Sequence, residues 1–208
     1  AAAAVATAGR GAGLRAMPAV PGVRFSSTAT KLSTFLQVEI DGEQERVHDQ
    51  ARIEDVIEAS PFKIDKVETV GSYVVLRNGN ATVEFEATDY EHNDDDTAAV
   101  PFEVVIAKES LKQELIFDCI AQYNEGEDHA DLLLESIVLK NTDKDEDGYS
   151  PSFVELEDDV QESFFDYLHD HGVDVEFARS VIRIAEIKEG NVYRNWLSGV
   201  KKFVDSPL

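Results

Sequence analysis

Between Lys31 and about Asp49, Leu32, Phe35, Leu36 and Ile40 recur at three- and four-residue steps, the spacing that aligns one face of an α-helix. One amphipathic helix is predicted there. From Pro61 the period shortens to two. In ATVEFEA, Val83, Phe85 and Ala87 point one way and Thr82, Glu84 and Glu86 the other, as expected of a sheet with one wet face. SYVVLRN precedes it, and Asn78-Gly79 between the two runs predicts a hairpin turn, because that dipeptide readily takes positive backbone angles. PFKIDKVE, PFEVVIAKE from Pro101, QELIFDCIAQY from Gln113, DLLLESIVLK from Asp131 and a short SFVELE from Ser152 bring the count to about seven strands. No helix-length segment separates them, so they predict an antiparallel meander.

Past this meander the helical period returns. Asp159 and Glu162 have the spacing of a capping box, and Val160, Phe164, Tyr167 and Leu168 form an apolar stripe behind them. His171-Gly172 ends that helix, glycine being suited to the left-handed terminal position. Asp174 then caps a second helix carrying Phe177, Val181, Ile182 and Ala185. After an irregular KEGN, Tyr193, Trp196, Leu197, Val200, Phe203 and Val204 continue its stripe. The predicted fold is α+β: an about seven-stranded twisted antiparallel sheet, flanked by one N-terminal and two C-terminal helices that cover one face.

Charge changes the picture next. The 208 residues include 42 acids and 19 bases, for a formal charge of −23. The first 30 residues carry Arg10, Arg15 and Arg24 and no acid, amid Ala, Gly and Ser, so the rest is more acidic still, with 16 bases against 42 acids. An Arg-bearing, acid-free, Ala/Ser-rich start has the composition of a mitochondrial or plastid transit peptide, and VRFSSTAT suits a matrix-processing region cleaved near Phe25 or Ser26. The expected organisation is a transit peptide and disordered N-terminus over residues 1–30, then a single acidic domain over residues 31–208. Such a surface repels phosphate backbones and attracts basic proteins, so no direct nucleic-acid binding is expected. No apolar run approaches the roughly 20 residues of a membrane-spanning helix.

The acids cluster between strands. Asp94, Asp95 and Asp96 lie in one loop, Glu127 and Asp128 in another, and Asp143, Asp145, Glu146 and Asp147 in a third. These nine are the candidate partner-binding acidic surface. The third loop, DKDEDGYSPSFV, resembles the start of a calcium loop, with acids at its first, third and fifth positions and Gly148 at the sixth. Its twelfth position, where a bidentate Glu is needed, is Val154, and strands rather than helices flank it. No metal site is assigned, and a low-affinity divalent-ion buffer or ion-responsive adaptor, with the acidic loops as its sites, is the alternative function.

Catalytic patterns are missing: no nucleophile elbow, phosphate-cradling glycine loop, cysteine pair or His-Glu-x-x-His run occurs. No enzymatic activity, catalytic residue or cofactor is therefore expected. The lone Cys119 sits in an apolar run and is expected to be a small buried side chain. His169 and His171 sit at a helix end, where adjacent rings are poorly placed to share one ion. Phe164, Phe165, Tyr167, Tyr193 and Trp196 lack nearby basic clusters, which predicts core packing rather than base stacking.

The element order and FFDYLHDHGVDVEFARSVIRIAEIKEGNVYRNWLSGVKKFV, Phe164 to Val204, resemble the mitochondrial glycoprotein family of acidic matrix proteins. The matching features are an aromatic helix, a Gly-Val turn, a second helix, Tyr followed by Trp-Leu, and a basic ending. The resemblance implies a ring-shaped homotrimer in the mitochondrial matrix in which terminal helices pair. Leu32, Phe35, Leu36, Trp196, Leu197, Val200 and Phe203 are the candidate helix-pairing or trimer contacts. It further implies a non-enzymatic scaffold or chaperone for basic proteins of mitochondrial gene expression, serving ribosome function, RNA processing and oxidative phosphorylation.

Overall fold

The computed structural model describes residues 27–48, 52–67, 71–92, 97–124, 126–144 and 148–206. The predicted leader cleavage near Phe25 or Ser26 lies outside these residues, and the first helix, α1 (Ser27–His48), begins ahead of the boundary expected at residue 30. A one-turn α2 (Ile53–Ile57) follows. The strands are β1 (Lys63–Val67), β2 (Tyr73–Asn78), β3 (Ala81–Glu86), β4 (Glu91–His92), β5 (Thr97–Lys108), β6 (Gln113–Asn124) and β7 (His129–Asn141). Two helices close the chain, α3 (Asp158–Asp170) and α4 (Val175–Asp205).

The seven strands form one antiparallel sheet in the order β1-β2-β3-β5-β6-β7, with β4 paired to β5 alongside that path. Alternation sets its two faces. On β5, Ala98, Val100, Phe102, Val104 and Ile106 are buried, while the residues between them face the other side. The buried face packs on α3 and the first half of α4. Phe177 of α4 lies 4.6 Å from Phe62 and 6.4 Å from Phe102, ring centre to ring centre. Phe117 of β6 meets Phe164 and Tyr167 of α3. Each such fully buried aromatic stabilises the fold by about 1.5–3 kcal/mol through area removed from water.

Five sequence expectations change. The hairpin turn is Gly79-Asn80 rather than Asn78-Gly79: Asn78 pairs with Ala81, and Gly79 takes φ +59°. A positive φ at the first turn position alone suits a type II′ turn, where glycine belongs. SFVELE is not a strand. Ser152 makes one bridge to Ser136, and Phe153–Glu155 then turns as a 3-10 helix that buries Phe153. The seventh strand is instead the two-residue β4, too short to carry a periodic signal. The capping box at Asp159 is absent: Glu157 precedes the helix and caps nothing with its side chain, so Asp158 and Asp159 act through their charge in the first turn. KEGN does not interrupt α4, because Lys188 is buried within the helix and Gly190 costs only about 1 kcal/mol of propensity. Asp174 does cap it, accepting from Phe177 N at 2.8 Å.

Candidate functional site

The sheet face turned away from the helices carries an acidic row. Glu84 of β3 stands directly opposite Glu103 of β5, and Glu103 directly opposite Asp118 of β6. Side chains paired in this way lie about 4.5–5.5 Å apart at Cβ, where like charges repel. Neutral hydroxyls hold the two ends: Tyr73 donates to Glu84, and Ser136 of β7 donates to Asp118. The carboxylate of Glu84 raises the Tyr73 phenol to about 12. Glu103, between two other acids, is raised above the usual carboxylate range by partial burial first and by Asp118 and Glu84 next, with Lys140 opposing. The row floors a depression of about 390 Å³ whose described lining includes six carboxylates, from Glu84, Glu86, Asp89, Glu103, Asp118 and Glu135, and no Lys or Arg.

The loop acids are placed differently. Asp94, Asp95, Asp96, Asp145, Glu146 and Asp147 lie outside the described residues. Glu127 is exposed. Asp128 is not a free surface acid: Arg179 Nη1 donates to its Oδ1 at 2.8 Å and Tyr123 at 2.9 Å, which holds the carboxyl below its ordinary range. The same guanidinium lies 5.0 Å from the centre of the Tyr123 ring. Asp143 forms an ion pair with Lys112 at 2.6 Å. Three acids at the row were missed because the loops drew attention to dense charge. Their signal was a single acid in mid-strand of three apolar runs, VEF, FEV and FDC, where acids are normally depleted.

Among the described residues, no group of three or more His, Cys, Asp or Glu side chains is placed to hold a metal ion. His171 turns its Nδ1 to within 2.8 Å of the Tyr167 carbonyl oxygen, one turn back on α3. Cys119 is buried in β6, and burial pushes its thiol far up. No described helix is long and apolar enough to cross a membrane.

Helix pairing divides the predicted apolar set. The second half of α4 runs against α1, with Leu36 and Leu197 buried and Val200 half-buried. Leu32, Phe35, Trp196 and Phe203 remain exposed, Phe203 at 82%. Trp196 is therefore not a core residue. In the second half of a helix about 46 Å long, it stacks on Tyr193 at 6.1 Å, and Tyr193 in turn reaches Glu39 of α1. Phe164, Phe165 and Tyr167 do pack on the core.

A family model described as mitochondrial glycoprotein matches residues 77–204, from the β2–β3 hairpin to the end of α4. The chain belongs to the mitochondrial glycoprotein family. With 42 acids against 19 bases, it is an acidic member. The Trypanosoma brucei p22 crystal structure is similar, at 18% identity and a TM-score of 0.64, covering 86% of this chain and 100% of that one. A Leishmania major protein of unknown function, described as a sequence homologue of human p32 protein, is similar at 18% identity and a TM-score of 0.62, with the same coverage. At these identities the likeness establishes the fold: a mitochondrial glycoprotein family member shares its sheet and helices with p22 and p32-type proteins.

Proposed function

We propose that this family member is a non-enzymatic scaffold or chaperone of the mitochondrial matrix that binds basic proteins of mitochondrial gene expression. The observation that carries the reading is the row Glu84, Glu103 and Asp118. Three acids in consecutive cross-strand register repel one another, and the hydroxyls of Tyr73 and Ser136 that bond the two end acids bring no charge to offset that, so their placement favours a ligand that brings positive charge to the face. The net charge of −23 steers such ligands from a distance. Glu127, exposed on its loop, extends the surface, and the family's mitochondrial description agrees with the leader-like composition of residues 1–30. A homotrimer presents the surface in three copies, with the exposed apolar residues of α1 and α4 as its contacts.

The test is capture of basic matrix proteins in steps of rising salt, by the natural protein and by the Glu84→Gln, Glu103→Gln, Asp118→Asn variant. The natural protein is expected to retain basic proteins at low salt and to release most as salt rises, and the variant to retain several-fold less. Equal retention by both proteins would remove the row from the binding surface.

A further inference from the structure

The sheet ends on β7, a strand of 13 residues, and only half of its outer edge is used. The C-terminal half is covered by the chain that follows. Gly148 lies so close to the Leu139 carbonyl that an added Cβ would sit 2.5 Å from it, and Ser152 bridges to Ser136. Along His129–Glu135, no strand pairs with the outer edge among the described residues. An unpaired edge is a row of free N–H and C=O groups, ready to accept another strand.

The side chains along this open half specify what would fit. Asp131 pairs with Gln122 and Leu133 with Ile120, which places both on the face that bears the acidic row. Glu135 is the extra residue at the bulge opposite Asp118 and Cys119, and it lines the acidic depression with Ser136. Asp131, Leu133 and Glu135 are all exposed. Two β7 edges paired antiparallel about Leu133 would set Asp131 against Glu135, so in that register the charge opposes self-association of this edge. A basic strand reverses that sign.

We propose that the His129–Glu135 edge adds an extended basic segment of a partner protein as an eighth strand. The segment carries the pattern basic, any, apolar, any, basic, so that its two cations face Asp131 and Glu135 and its apolar residue covers Leu133. This rests on the basic-partner reading and adds its mode: backbone hydrogen bonds hold the segment, and the side chains select it.

The probe is the labelled peptide Thr-Lys-Thr-Val-Thr-Lys-Thr, measured by fluorescence anisotropy at low salt. Two further versions carry backbone N-methyl groups, one on the odd residues and one on the even. In an added strand only alternate N–H groups face the edge, so one version should bind at least tenfold more weakly and the other nearly as well as the parent. The Asp131→Asn, Glu135→Gln protein should bind the parent several-fold more weakly. Equal binding by all three peptides, or equal loss with both methylation patterns, overturns strand addition and leaves the acidic-surface reading standing. No binding of the parent peptide overturns strand addition; whether the acidic-surface reading falls with it is decided separately by the capture experiment.

Discussion

Glu103 is the residue where the fold and the acidic face work against each other. Its carboxyl is raised by partial burial and by Asp118 and Glu84, so the folded state binds its proton more tightly than the unfolded chain does. For an acid raised in this way, stability is greatest below the unfolded value and falls as pH climbs through the folded one. At neutral pH the charged side chain is therefore a cost. Glu103→Gln should raise the midpoint of thermal unfolding at pH 7, by a stabilisation of up to about 1 kcal/mol, the scale of a cross-strand pair. That advantage should vanish as pH falls below about 4, where both side chains are neutral. Thermal melts of the two proteins from pH 4 to 7 check this. A variant less stable at pH 7 would mean that the carboxylate is better satisfied than its surroundings indicate.

At the scale of elements, Gly172 sets the angle between α3 and α4. It takes φ +85°, and a Cβ there would lie 2.4 Å from Pro61 Cγ, in a ring that cannot swing away. Gly172→Ala should destabilise the protein by about 1–3 kcal/mol through strain and overpacking together, read as a lowered denaturant midpoint with an unchanged slope. This glycine was legible in the sequence because helix ends need the left-handed region and few residues supply it. The long strands were legible too, β5 by its alternation and β6 and β7 by short apolar runs bounded by polar loops, with no helix-length segment between them. What escaped had too little length or the wrong context. Two residues of β4 have no period. Phe153 gave SFVELE a strand-like look, yet its burial follows from packing against Phe164 and Phe165 across a 3-10 turn. The acidic row was hidden for a related reason, since register across three strands is a property of pairing that no single run displays.

At the scale of the whole molecule, the pair formed by α1 and α4 buries one apolar stripe and exposes another. Leu36 and Leu197 face inward, while Leu32, Phe35 and Val38 on α1 and Trp196 and Phe203 on α4 are each at least 45% exposed. An exposed apolar set of this size on a helical pair is unusual unless another surface covers it. A second and third copy of the chain are the proposed cover. Three chains of charge −23 repel one another, so apolar contact must overcome that repulsion, and added salt should help by screening it. Light scattering at micromolar concentration and moderate salt should give three chain masses, with a shift towards one chain at low salt. Phe35→Ser with Trp196→Ser should give single chains at moderate salt while leaving the circular dichroism of the sheet unchanged, because both side chains lie outside the core. A natural protein that stays at one chain mass at moderate salt would rule out the trimer, and the exposed stripe would then need a different partner.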